Sequence, residues 1–271
     1  MPDQDHSVIW LRPEVTGRGR APGHSRLQIA QAALAVADAE GLDAASMRRV
    51  ATEIGAAPMS LYRYVRNKDE LHLLMADEAV RQDWQHWRPL PDTDWNLTLR
   101  RAAHNVRRLV LAHPWWAEIV TRGPGFTPHI LRTQEKTLAG LDGLGLTIDE
   151  MTQIAETVQT FVIGYAQREF HTARAIAADG SATAAEMLRD WQPYVASLID
   201  SGEFPYLERI VLDARAPHET DRQALFERAL DRLVAGIAAT LPHPWTGTPG
   251  HALRPSPAHA TTATTSGKGN P

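Results

Sequence analysis

The sequence predicts an all-α protein in two helical parts, and three observations lead there. Apolar residues recur at helical spacing along most of the chain, serines and glycines bracket those recurrences as caps and stops, and no strand alternation of useful length appears. With 271 residues, 43% of them hydrophobic, the chain can bury one large core, or a small and a medium one. Its punctuation marks four parts. Residues 1–24, rich in Pro, Gly and Arg, read as a flexible arm. Residues 25–71 read as a compact three-helix unit and residues 72–241 as a larger helical part. Residues 242–271, with six prolines and a Thr/Ser/Gly-rich end, read as a disordered tail.

In the first helix Ile29, Ala32, Ala33, Val36 and Ala37 share one face, with Ser25 placed as N-cap and Gly41 as terminator. Ser46 caps a second helix whose Met47, Val50, Ala51 and Ile54 form one stripe, and Gly55 stands where a left-handed residue is needed. A third helix follows from Ala57 or Pro58 to Tyr64. Leu61 and Val65 face inward in this reading, leaving Met59, Ser60, Tyr62, Arg63 and Tyr64 outward. A fourth helix is expected from Lys68 to about Trp87. The helical pattern then continues to about Leu241, broken at Pro89-Leu90-Pro91, His113-Pro114, Gly123-Pro124-Gly125, Gly180, Gly202 and Pro217.

Charge is unevenly spread. The chain as a whole is −4, yet residues 12–68 hold nine Lys or Arg against five acids, a local +4. A short helix entering a DNA major groove needs hydroxyls, a guanidinium and compact apolar groups at base edges, with cations and phenols at phosphates. Ser60, Tyr62, Arg63, Tyr64 and Lys68 supply that mixture. A helical hairpin whose tyrosines only cover the core would share the spacing. A non-specific architectural DNA binder would be basic throughout, which the acidic remainder contradicts.

Other classes are disfavoured by what the sequence lacks. With no cysteine, thiolate catalysis, disulfides and Cys-based zinc sites are excluded. Twelve histidines form no HExxH, no pair at ligand spacing beside a third group, and no Gly-rich phosphate loop follows a strand, so no catalytic residue, metal site or cofactor is expected. Residues 1–10 lack the basic and apolar runs of a signal peptide, and no apolar run is long enough to span a membrane. The expectation is a cytoplasmic protein that is not an enzyme.

The run LQIAQAALAVADAEGLDAASMRRVATEIGAAPMSLYRYVRNKDEL strongly resembles the DNA-binding domain of the TetR (tetracycline repressor) family, most specifically over Ser60 to Leu71. Trp95, the His113-Pro114-Trp115-Trp116 run and the helix around Phe161 to Glu169 look like the tetracycline-repressor type of C-terminal domain. The resemblance implies a ligand-responsive repressor that binds a palindromic operator as a homodimer; action as an activator, or without a small-molecule ligand, stays open. It further implies that Arg48 reads a guanine edge, that Pro58, Met59, Ser60, Tyr62, Arg63 and Tyr64 are recognition-helix contacts, and that Lys68 clamps a phosphate at the N-terminus of the fourth helix. Arg49 and Arg66 are weaker phosphate candidates. Arg12, Arg18 and Arg20 on the arm either reach a minor groove or contact nothing.

In the resembled family late helices of two subunits form a four-helix bundle, setting the recognition helices about 34–36 Å apart. The stripes Leu230, Leu233, Val234, Ile237 and Leu241, and Ile154, Val158, Phe161, Val162 and Tyr165, are the candidate dimer faces; burial inside one subunit is the alternative. For the effector, the aromatic-rich C-terminal part suggests an apolar pocket, with Trp84, Trp87, His104, Trp116, Phe126, Phe161, Tyr165 and Gln167 as candidate ligand contacts. Where the family's tetracycline-binding members hold polar drug ligands, this chain has Trp84, Ala102 and Val120. A largely apolar or aromatic effector is therefore expected in place of a tetracycline–magnesium chelate, with the fourth helix as the lever between pocket and DNA.

Overall fold

The computed structural model describes residues 8–14, 23–84, 94–123, 125–181, 186, 189–213 and 221–242, and every element of regular structure among them is helical. The N-terminal part holds α1 (Arg26–Glu40), α2 (Met47–Glu53) and the short α3 (Pro58–Leu61). The long α4 (Lys68–Asp83) leads into α5 (Trp95–Ala112), α6 (Pro114–Arg122), α7 (Pro128–Ala139) and α8 (Ile148–Asp179). Two short helices, α9 (Gln192–Asp200) and α10 (Pro205–Leu212), precede α11 (Arg222–Ala238).

The caps are those the sequence implies. Ser25 and Gln28 form a reciprocal capping box at the start of α1, each side chain bonded to the other's backbone N–H, and Ser46 accepts from the Arg49 N–H. Gly55, at φ +68°, makes the turn between α2 and α3 in a left-handed conformation that a side chain would strain. Thr147 and Glu150 repeat the capping box at α8, and Gly180 ends that helix in the left-handed region.

Packing makes α4 common to both parts. It lies along α1 on one side and touches α5, α6 and α7 on the other, while α5 runs against α8 and α11 closes over both. Buried side chains form one continuous cluster, from Ile29 and Val50 through Leu71 and Met75 to Leu99, Val162 and Phe226. The division expected between residues 71 and 72 therefore falls inside an unbroken helix. Where α7 ends, α5 comes so close that a Cβ on Gly140 would lie 2.5 Å from the Thr98 side chain.

Four expectations need correction. Residues 8–14, assigned to a flexible arm, are docked: Ile9 is 1% exposed in a short 3-10 turn over Ile9–Leu11. Arg12 is correspondingly held by Glu70 and is not extended toward a groove. The third helix stops at Leu61, and a turn through Tyr64 follows. The Tyr64 and Val65 N–H groups both bond the Leu61 carbonyl, so Tyr64 lies three residues beyond Leu61 on its inward face and is only 6% exposed. The dimer stripes are largely internal: Leu230, Val234 and Ile237 of α11 and Val158 and Val162 of α8 are buried within one subunit. Finally, α4 ends at Asp83 with Trp84 as its C-cap. Trp87, Arg18, Arg20 and residues 243–271 lie outside the described residues.

Candidate nucleic-acid interface and cavity

The outward set of the helix-turn-helix is narrower than the spacing suggested. Met59 is 77% exposed, and Arg48, Pro58, Tyr62, Arg63 and Lys68 are exposed around it, with Ser60 half-buried and its hydroxyl donating to the Ala57 carbonyl at 2.6 Å. Lys68 opens α4 behind the Asn67 cap, whose side chain accepts from the Glu70 N–H at 2.8 Å. Its ammonium lies 3.9 Å from the exposed Asp43 carboxylate, a contact weak enough in water to give way to a phosphate. Arg49 is committed elsewhere. Its guanidinium takes Glu40 at 2.7 Å and Glu53 at 2.8 Å, and the two hydrogen-bonded carboxylates raise its pKa.

Behind this surface an arginine gathers the N-terminal segment. The Arg26 guanidinium donates to the carbonyls of Ile9 (3.0 Å), Arg12 (2.7 Å) and Pro13 (3.2 Å), and also to that of Tyr64 (3.4 Å) in the turn after α3. The Arg12 side chain reaches Glu70 at 2.5 Å, and the same carboxylate oxygen accepts from the Arg66 N–H at 2.8 Å.

A cavity of about 340 Å³ lies among α4, α5, α6, α7 and α8. One wall is apolar, with Val80, Ala102, Ala103, Val106, Leu109, Trp116 and Val120; the other is mixed, with Ile130, Thr133, Gln134 and Thr137 of α7 and Glu156 and Gln159 of α8. Of the residues proposed from sequence as ligand contacts, Trp116 and Phe126 line it, the first only 3% exposed and the second 66%. His104, Phe161 and Tyr165 do not. They gather around Phe226, with His104 and Tyr165 ring centroids 5.4 and 5.3 Å from it and Phe161 against Tyr165, because their faces of α5 and α8 point to α11. Gln167, half-buried two residues beyond Tyr165, is absent from the lining too. Trp84 instead joins α4 to α7, with the Lys136 ammonium 3.7 Å from its ring centroid and the His129 ring against its edge.

The lining residues of α7 escaped the sequence reading, although Ile130, Thr133, Gln134 and Thr137 fall at i, i+3, i+4 and i+7 and share one face. In the sequence, Ala102 and Val120 stand out only for the polar groups they lack. Polar joints connect the cavity walls to the N-terminal part. Buried Asp77 of α4 accepts from the His129 backbone N–H at 2.7 Å and meets its Nδ1 at 2.8 Å. In α6 the Trp115 indole donates to Asp38 of α1 at 2.7 Å, and the next indole, Trp116, donates to the Ala76 carbonyl of α4 at 3.3 Å. Glu78, also buried, takes Arg81, Gln82 and Gln31; burial pushes its pKa up, but those hydrogen bonds together carry it below the usual carboxylate value.

Two family models cover most of the described chain. Residues 29–74 match the model for bacterial regulatory proteins of the tetR family, and residues 88–241 match the tetracyclin repressor-like C-terminal domain. Among curated proteins, the chain is 31% identical over 231 residues to the HTH-type transcriptional repressor DrrR1 of Streptomyces coeruleorubidus, covering 85% of each. It is 29% identical over 236 residues to an HTH-type transcriptional regulator of Saccharopolyspora erythraea, covering 86% of this chain and 92% of that one. Among solved structures, ActR of Streptomyces coelicolor without ligand superposes with a TM-score of 0.65 at 28% identity over 81% of this chain and 97% of that one. Its complex with actinorhodin gives a TM-score of 0.66 at the same identity and coverage.

Proposed function

The chain belongs to the TetR family of bacterial transcriptional regulators, and from that premise we propose that it represses by binding a palindromic operator as a homodimer and lets go when a small effector fills its cavity. Its relatives are regulators, not enzymes. The observation that carries the proposal is continuity: α4 begins at Lys68 beside the exposed Met59, Tyr62 and Arg63, and its Val80 lines the cavity. A ligand preferring one arrangement of α4 then biases the recognition helices of both subunits.

The lining favours the chemistry of the effector. Apolar side chains and the Trp116 ring suit a flat, largely apolar or aromatic compound, and the Thr133, Gln134, Thr137 and Gln159 side chains offer hydrogen bonds along one edge. Glu156 is the one ionisable side chain among the described lining residues, so an anion would find no counter-charge there. ActR of Streptomyces coelicolor, which shares this fold, has been solved with actinorhodin bound, and that supports a small-molecule occupant for the cavity.

With the expected stripes buried inward, the proposed dimer face lies on the opposite sides of α8 and α11. There Gly164 and Gly236 are exposed with open space at their Cβ positions, next to Thr160, Arg168, Arg232 and Ala235. Small residues let two helix backbones approach closely, as a helical bundle between subunits requires. Footprinting on DNA upstream of the protein's own gene tests the whole reading. The expected result is a protected inverted repeat with half-sites about one DNA turn apart, roughly 34–36 Å, resistant to excess random duplex and released by a cavity ligand. Protection that random duplex removes equally well would overturn it.

A further inference from the structure

Residues 8–14 carry more interactions than a tail requires, and these converge on the part of the fold that meets DNA. The first turn of α4 presents Lys68 together with two acids, Asp69 and Glu70, so without help it opposes a phosphate. Arg12 answers one of those acids: its guanidinium is 2.5 Å from Glu70, with only 11% and 14% of the two side chains exposed. The docking that brings Arg12 there depends on buried Ile9 and on the three strap carbonyls collected by Arg26, whose fourth acceptor is the carbonyl of Tyr64 in the recognition turn. One guanidinium thus ties strap and recognition turn together.

We propose that residues 8–14 are a working part of the DNA-reading unit, in which Arg12 cancels the Glu70 charge beside the phosphate-binding Lys68 and Arg26 fixes the strap to the turn that follows α3. The inference rests on the DNA-binding reading given above. Arg12 and Arg26 are positioning residues: neither touches a base in this scheme. Glu70 sits within one helical turn, about 5 Å of axial rise, of Lys68, inside the distance over which salt leaves charges uncompensated. Removing Arg12 alone leaves the largely buried Glu70 carboxylate with its Arg66 N–H bond but without the guanidinium that directly balances its charge, whereas removing both charges leaves a neutral, hydrogen-bonding pair.

The test uses the full-length protein and a duplex that it selects from random-sequence DNA. Arg12→Gln is expected to weaken binding to that duplex by at least about tenfold at low salt. Adding Glu70→Gln to it is expected to return the affinity to within about threefold of the parent, with the salt dependence of the parent restored. Loss of packing alone gives no such rescue. Arg26→Lys, which keeps the charge but cannot chelate four carbonyls, is expected to weaken binding without rescue by Glu70→Gln. Parent-like binding by Arg12→Gln, or a double variant as weak as the single one, would overturn the proposal. A selection that returns no preferred duplex defeats the operator reading itself. The strap is then judged by amide exchange at Leu11, whose N–H bonds the Val8 carbonyl: Arg26→Gln must accelerate it, and unchanged exchange sinks the strap as well.

Discussion

At the scale of single residues, the exposed side chains around α3 make separable predictions. Arg63→Ala is expected to cost about 1–3 kcal/mol of operator affinity and to relax preference at one base pair, read by binding to a panel of single-base variants. Lys68→Ala is expected to weaken binding to every sequence alike and to lower the salt slope by about one. His72, on α4, feels the charges around it: burial first, then the Lys68 charge, with Arg122 also contributing, holds its pKa below the usual 6.5 against the opposite pull of Asp69 and Asp43, and its Nε2 is buried without a hydrogen-bond partner. The unfolded chain then takes up a proton before the folded one does. Stability is expected to fall as the pH drops through about 6.5, and thermal melts of His72→Leu should lose that part of the acid slope; an unchanged slope would place it elsewhere. Residue identity was legible in the sequence where local rules decide. Ser25 with Gln28, Ser46 and Gly55 behave as their types dictate. Tyr64 was not, because helical spacing from Leu61 outweighed its polar tip once the helix gave way to a turn.

Among elements, α4, α6 and α7 carry the coupling. Contacts from α4 and its C-cap to α7 include the Asp77 carboxylate on His129, the His129 ring on the Trp84 edge, and the Trp84 ring under Lys136. Trp84→Ala is expected to leave operator affinity without ligand within about threefold while reducing severalfold the effect of a cavity ligand on that affinity. Equal loss of both would show that the tryptophan supports the fold and not the transmission. Trp116 is nearly buried and packs against the cavity, so Trp116→Ala should cost about 3–5 kcal/mol of unfolding free energy, measured in denaturant, and should change which compounds bind. The existence of these helices followed from periodicity, yet their partners did not. His104, Phe161 and Tyr165 looked as suitable for a pocket as Trp116, and only the packing of α11 against α5 and α8 assigns them to Phe226. Similarly, the apolar run Ile9-Trp10-Leu11 is too short to show a period, so its docking was invisible before Arg26 and the core were in place.

For the whole molecule, the proposed homodimer turns on how two copies would meet. The inward stripes of α8 and α11 are spent inside the subunit, leaving the faces around Gly164 and Gly236 as the predicted contact. Gly236→Arg adds bulk and charge to that face without touching the core. Sedimentation should then report a monomer, with operator binding lost while helicity persists; an intact dimer would move the interface elsewhere. The division of charge fits this arrangement, since a positive N-terminal part can face DNA while the acidic remainder stays clear of it. One geometric consequence follows from α4 having neither glycine nor proline between Lys68 and Asp83. Turning as a rigid rod about 24 Å long, it would carry Lys68 about 2 Å sideways for a tilt of about 5° at its C-terminal end, just beyond Val80. Mirrored in the second subunit of the proposed dimer, that displacement would change the span between the two reading surfaces by about 4 Å, more than the roughly 3.4 Å rise between neighbouring base pairs, enough to throw both off register at once.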